Sequence, residues 1–327
     1  MEFLDYIWLG TPLWMWLGFL AIVVTLLALD LGVLHKKQRE IEVKESLLLS
    51  AGYIGLGLSF GAWVWWYLGE AAGLQFITGF VIEKSLAMDN VFVIAMVFTY
   101  FAIPRAYQHR VLFWGILGVI LLRAVMIGLG STLVEQFSWV LYVFAAFLVF
   151  TGIKMWMLAD KEYDVGSSGA LRFIRKHVPL TERLHGERFF VRETDQKTGK
   201  PAWFATPLFL ALAMIEIVDV VFAVDSVPAI FAITTDPFIV YTSNIFAILG
   251  LRALYFALAA MVHRFHYLKY ALALLLVFIG GKIFIADALG LAKIPPRVSL
   301  TITFAILAAG VGWSLWKTRG VAPATSP

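Results

Sequence analysis

The chain contains no cysteine. That absence removes disulfides, thiolate metal sites, iron–sulfur clusters and cysteine nucleophiles together. Charge is scarce too: only 15% of the 327 residues are charged and 61% are hydrophobic, with mean hydropathy +0.84. A soluble domain is about half apolar and a quarter charged, so this composition describes a polytopic membrane protein. Histidine is missing from the apolar runs, because His35, His109, His177, His185, His263 and His266 all fall at or beyond their ends. Zinc and copper sites thereby lose their usual ligands. With no haem-ligating histidine in a span and no glycine-rich dinucleotide loop, a membrane redox enzyme is disfavoured, and no enzymatic activity is expected. The N-terminus is acidic (Glu2, Asp5) and the first apolar run is long enough to span, so no cleavable signal is expected. The net charge of +4 is spread over short loops, which does not suggest a nucleic-acid partner.

What is there is a series of apolar runs, each near the roughly twenty residues that cross a bilayer. They lie at about 13–34, 46–68, 76–101, 110–130, 138–158, 204–233, 241–262, 268–289 and 298–316. Lysine and arginine crowd alternate loops: Lys36, Lys37, Arg39 and Lys44, then Arg105 and Arg110, the stretch from Lys161 to Lys200, Arg264 and Lys269, and finally Lys317 and Arg319. The opposite side has Lys293 and Arg297 alone. By the positive-inside rule the N-terminus is outside and the C-terminus cytoplasmic. The long connector Ala159–Trp203 reads as a solvated cytoplasmic linker with a short amphipathic helix after the Gly166–Gly169 break; a regulatory or docking role is the alternative.

Two apolar stretches carry acids where charge is expensive, about 2.5–3.5 kcal/mol per group at mid-membrane. Phe80–Phe98 holds Glu83 and Asp89, followed by Asn90; Ala211–Ile233 holds Glu216, Asp219 and Asp225, followed by Ser226 and Pro228. Glu83 to Asp89 and Asp219 to Asp225 are both six residues apart. The pattern V-F-x-G-x-K occurs at Val149–Lys154 and again at Val277–Lys282, and Arg123 and Arg252 occupy the spans just before each. Spans 3–5 therefore match spans 6–8 in order. An odd number of crossings per copy makes the copies run in opposite directions, which is an architecture of secondary transporters. The expected fold is an all-α membrane protein of about nine transmembrane helices with inverted three-helix repeats. Its parts are two N-terminal spans (1–75), the first repeat (76–158), the cytoplasmic loop (159–203), the second repeat (204–290) and a C-terminal span and tail (291–327).

On a helix Glu216 and Asp219 share a face, while Asp225 lies about 120° from Asp219. Unwinding near Asp225–Pro228, and likewise near Asp89–Asn90, would bring the acids together and release backbone carbonyls. Carboxylates, an amide oxygen, a hydroxyl and carbonyls make a hard-oxygen set suited to manganese, calcium or magnesium. Met88 and Met214 adjoin the motifs as thioethers, more simply read as packing residues. The candidate metal residues are Glu83, Asp89, Asn90, Glu216, Asp219, Asp225 and Ser226. Arg123, Lys154, Arg252 and Lys282 are counter-charges or gates. Asp30 is either an interfacial residue paired with Lys36 or Lys37 or an accessory ligand. Buried ion pairing between these acids and bases is the structural alternative. A crowded set of carboxylates can also hold protons that an arriving metal expels, which gives a route to metal/proton exchange.

The residues Glu83–Asn90 (EKSLAMDN), Glu216–Phe231 (EIVDVVFAVDSVPAIF), Asp236–Tyr241 (DPFIVY) and Ser243–Phe256 (SNIFAILGLRALYF) resemble the TerC family of integral membrane proteins, its Alx-like members included. The similarity covers about residues 10–317, with no departure at the acidic positions. It implies an inverted-repeat exporter fold of the LysE type in a bacterial inner membrane. It also implies export of manganese(II), or calcium, as transported ion rather than resident cofactor, with links to tellurium resistance and alkaline pH response. The expected partners are a divalent metal ion, protons and the lipid bilayer. A homo-oligomer or membrane partner proteins are compatible with the sequence. A membrane scaffold acting through partners in tellurite or envelope stress is the other class of function.

Overall fold

A computed structural model describes residues 4–32, 43–159, 164–194, 199–259, 265, 267–290 and 294–319, with the backbone alone at 30–32, 43 and 259. The basic residues Lys36, Lys37, Arg39, Lys161, Lys197, Arg264 and Lys293 and the side chain of Asp30 lie outside the described residues.

Each expected apolar run coincides with helix. After a two-residue hairpin, β1 (Ile7–Trp8) with β2 (Thr11–Pro12), the chain enters α1 (Leu13–Gly32), α2 (Val43–Leu68), α3 (Glu70–Tyr100), α4 (Arg105–Gln136) and α5 (Val140–Met157). The connector carries α6 (Gly169–His177) and the hairpin β3 (Phe190–Thr194) and β4 (Pro201–Ala205). Then follow α7 (Pro207–Phe231), α8 (Pro237–Ile248), α9 (Leu251–Ala259), α10 (Leu268–Ala288) and α11 (Pro296–Lys317). Among the described residues seven helices are long and apolar enough to cross a membrane, with Leu13–Leu29 a shorter apolar one, and α8 and α9 together make one of the seven. The molecule is an all-α membrane protein.

The expected interruptions near the acids do not occur. Both α3 and α7 run unbroken through their motifs. Pro228 sits in the last turn of α7, where the missing N–H costs one bond near an end that is already due, and LAMDNVF in α3 contains no breaker at all. The break falls instead in the seventh run, between α8 and α9. Gly250 there adopts φ 79°, and a Cβ on it would strike the Tyr53 ring of α2, so both the conformation and the space select glycine. The carbonyls released by the break are not orphaned. Lys84 of α3, itself buried, donates from Nζ to Ala247 O at 3.0 Å and Leu249 O at 3.3 Å. At its other end α8 is started by Asp236, whose Oδ1 accepts from the Phe238 and Ile239 N–H groups, with Pro237 at the first helical position.

The repeat is visible in the packing. α3 lies against α8 as α7 lies against α4, and α5 crosses α10. At that crossing a Cβ on Gly152 would meet Ala273 O and Val277, while a Cβ on Gly280 would meet Ala145 O and Val149. The two glycines of V-F-x-G-x-K therefore press on each other's valines, reciprocally and antiparallel, as copies running in opposite directions require. Gly280→Val is expected to lower the unfolding midpoint of the purified protein, by about the 1–3 kcal/mol of an overpacked contact. Gly281→Val, where a Cβ meets nothing within 4 Å, should not. Equal midpoints for the two variants would refute the crossing.

The connector is less detached than a solvated linker. Ser168 caps α6 by accepting from Leu171 N, and Leu171, Ile174 and Val165 are buried in one apolar cluster with Phe98, Ile103 and Leu208. The polar side of α6 carries Arg172, Arg175 and Lys176. The short amphipathic helix is present; the β3–β4 hairpin has no counterpart in the sequence reading, because its strands (FVRET, PAWFA) are too short and mixed to show alternation.

Candidate functional site

Arg123 is the centre of the polar interior. It lies midway along α4 with 1% of its surface exposed. Its Nη1 donates to Glu83 Oε1 of α3 in a close ion pair, to Ser226 Oγ of α7 at 2.8 Å and to Asn244 Oδ1 of α8 at 3.5 Å. Its Nη2 donates to Asp219 Oδ1 of α7 at 3.3 Å. Asn244 Nδ2 closes the ring by donating to Glu83 Oε2 at 3.1 Å, and Asn90 Nδ2 reaches Asp219 Oδ1 at 3.5 Å. Four helices thus contribute to one fully buried cluster. With both carboxylates ionised, two negative charges face one guanidinium, so the cluster is one positive charge short of neutral.

Unbroken helices decide which residues join. On α3, Glu83 and Asn90 are seven apart, two turns along one face; on α7, Asp219 and Ser226 are likewise seven apart. The acids six apart are turned about 120° away. Asp89 is half-buried and faces the charge of Lys269 on α10. Asp225 accepts a hydrogen bond from Thr151 and feels Lys154, both on α5. The structure therefore brings together Glu83, Asn90, Asp219, Ser226 and Arg123 and leaves Asp89 and Asp225 outside their cluster. Lys154 faces Asp225 as a counter-charge. Arg252 is buried on α9, and none of the Arg123 contacts involves it; Lys282 is buried at the far end of α10. Glu216 lies one turn from Asp219, its carboxylate set over Gly115 and Gly118 of α4, where a Cβ at Gly118 would collide with it. Among the described residues no three histidine, aspartate or glutamate side chains converge as a ready-made metal cluster.

Several polar atoms here are buried with no hydrogen-bond partner: Asp219 Oδ2, Asn90 Oδ1, Glu216 Oε2 and Arg123 Nε. Three of the four are acceptor oxygens. Two of these residues, Asn90 and Asp219, line a cavity of about 20 Å³ together with Gly115 and apolar side chains including Ile94, Val119 and Phe222. That volume holds about one water or one small ion. Unmade acceptors in a low-dielectric interior cost roughly 1–3 kcal/mol each, so the arrangement favours an occupant that brings positive charge or protons.

Sequence reasoning missed Asn244 as a member of the polar interior, and it placed Lys84 within a span without assigning it a role. Asn244 had a signal: a side-chain amide that follows Thr242 and Ser243 in the mostly apolar run IVYTSNIFAI. Lys84 shows as a charge inside an apolar run, but its partners do not, because they depend on a helix break in another span.

A family model described as the integral membrane protein TerC family matches residues 68–321 of the chain. An uncharacterized membrane protein of Myxococcus xanthus is 48% identical over 310 residues, which cover 95% of this chain and 94% of that one. An uncharacterized membrane protein of Rickettsia bellii is 48% identical over 296 residues, 90% of this chain and 95% of the other. A protein of Escherichia coli strain K12, whose name proposes it as a membrane-bound redox modulator, Alx, is 49% identical over 307 residues, 91% of this chain and 92% of its own. No solved structure matches.

Proposed function

The chain belongs to the integral membrane protein TerC family, and from that premise we propose that it is a secondary transporter that exports a divalent metal, manganese(II) or failing that calcium, across a bacterial inner membrane in exchange for protons. One observation carries this reading: the unpartnered acceptor oxygens of Asp219 and Asn90 on a cavity the size of one ion, with Glu216 Oε2 one turn away. Carboxylate and amide oxygens without thiolate or imidazole are ligands for a hard cation. Arg123 is the internal stand-in for that cation. It offsets one of the two negative charges of Glu83 and Asp219 when the ion is absent, and the ion competes with it for Asp219. Glu216, on the same face of α7, is the next carboxylate along the route. Asp89 and Asp225 are proposed as charges that flank the site rather than as ligands. The basic loops orient the N-terminus outside, and protons entering down their gradient would drive the metal outward.

The redox role named for the Escherichia coli relative is compatible with this reading. With no cysteine in the chain, no thiol couple can operate in it; removal of a redox-active metal would change the redox state of the cell without any electron passing through the protein. Tellurium resistance fits in the same way, as a phenotype of metal balance, since an acid-lined site repels a tellurite oxyanion. A scaffold acting through the connector is less well supported, because Val165, Leu171 and Ile174 are already buried against this chain's own helices.

Everted inner-membrane vesicles test the proposal. Vesicles containing the chain should accumulate manganese(II) when their lumen is acidified and lose the gain when the proton gradient is collapsed. Uptake equal to that of vesicles lacking the chain would overturn it.

A further inference from the structure

A second cavity, of about 260 Å³, lies where α3 begins, α7 and α10 end and α11 begins. It is far larger than a metal ion needs and close to the lower end of small-molecule pockets, about 300 Å³. Lys282 stands at its floor, 7% exposed, with Nζ donating to Ser299 Oγ at 3.2 Å. Thr78, also buried, gives its own hydroxyl proton to Leu74 O at 2.7 Å and so offers the cavity an acceptor oxygen. Gln75, Tyr142 and Thr235 add polar atoms to the wall. Asp287 is exposed and lines the same cavity from the rim, and the C-terminal end of α7, Phe231 to Ile233, forms one side. The last carbonyls of a helix carry partial negative charge.

A fixed ammonium on the floor argues against this cavity as a passage for cations. The repeat sharpens the point. Lys154, the matching lysine of the first V-F-x-G-x-K, is exposed and faces Asp225, whereas Lys282 is buried in a polar chamber. The two copies keep the glycine crossing but have diverged around the lysine. The chamber's polarity is graded: positive at the floor, negative at the rim and at the α7 terminus.

We propose that this chamber binds a small zwitterion of the phosphoethanolamine type, its phosphate at Lys282 and Ser299 and its ammonium at Asp287 and the α7 carbonyls. Two sources share that chemistry, the headgroup of phosphatidylethanolamine and free phosphoethanolamine. The apolar rim residues Leu141, Ile283 and Ile294 suit the chains of a lipid.

Native mass spectrometry of the protein released from micelles of mixed phosphatidylethanolamine, phosphatidylglycerol and phosphatidylcholine tests the lipid arm, and calorimetric titration with phosphoethanolamine tests the soluble arm. The wild type should retain phosphatidylethanolamine above both other lipids, or bind phosphoethanolamine, and the arm that responds identifies the source. Lys282→Gln should weaken the response at least 10-fold and Lys154→Gln should leave it unchanged. If Lys282→Gln does not fold, Asp287→Asn at the rim is decisive: it should erase the preference for phosphatidylethanolamine over phosphatidylglycerol. The proposal is overturned if neither ligand is preferred, if phosphatidylglycerol is retained best by the wild type, or if Lys282→Gln, or in its absence Asp287→Asn, behaves as wild type. None of these outcomes depends on which ion the central site carries.

Discussion

Asp219→Asn is expected to reduce manganese(II) accumulation in everted vesicles to background, while Asp89→Asn leaves most of it intact. The two aspartates look alike in the sequence, each six residues from another acidic or aligned partner and each in an apolar run. They differ in which face of an unbroken helix they occupy. Asp219 is 5% exposed, binds Arg123 through Oδ1, has an unpartnered Oδ2 and lines the ion-sized cavity. The asparagine replaces that oxygen with an N–H₂ donor or an uncharged carbonyl and removes one negative charge, leaving Glu83 and Arg123 neutral together. Loss of an outer-shell partner alone costs roughly 10- to 100-fold in metal affinity, and a ligand should cost more. Asp89 faces Lys269 instead. Comparable loss in both variants would mean that the helices rotate or break during transport in a way this arrangement does not contain.

Arg123→Met should destabilise the protein strongly in metal-free detergent solution and recover much of the loss when manganese(II) is added. Methionine nearly preserves the volume but deletes the charge, so Glu83 and Asp219 face each other uncompensated. Breaking a buried ion pair from one side costs about 3–5 kcal/mol. Both carboxylates are at least nine-tenths buried, so solvent screening does little to reduce that cost. An added divalent ion restores the missing positive charge, and the midpoint of thermal unfolding should rise with its concentration as linkage requires, by about 2.7 kcal/mol at a hundred times the dissociation constant. The wild type should respond less, because its guanidinium already holds the carboxylates. A variant that is destabilised but indifferent to manganese(II) and calcium would separate the arginine from the ion site and sink the idea of a stand-in cation.

The apolar runs were legible because about twenty apolar residues in lipid satisfy their own backbone groups as a helix. The repeat was legible because V-F-x-G-x-K is a packing motif: glycine lets two helices approach, and that demand writes itself into a short string. Membership of the site was half legible. Glu83, Asn90, Asp219 and Ser226 carry their cost on their face as polar groups in apolar runs. Their geometry was not, since the six-residue spacing drew attention to Asp89 and Asp225 and invited a break that Pro228 does not make. One proline in a last turn and one glycine in a run that also contains SNIFAI look alike on paper. Only the Tyr53 ring behind Gly250 and the Lys84 ammonium in front of Leu249 O decide which of them interrupts a helix. Such decisions rest on contacts between spans more than 160 residues apart and leave no local trace.

The crossing of Gly152 and Gly280 has a further meaning. Each side offers the other the same glycine and the same valine, which is the property of an isologous surface in a two-fold dimer. A contact of that kind is complete once two copies have met, because nothing self-complementary is left over to recruit a third. Here both copies are covalently joined, so the association is intramolecular and independent of protein concentration. Dilution in the bilayer cannot separate the two halves, and any larger assembly of this chain must use some other surface.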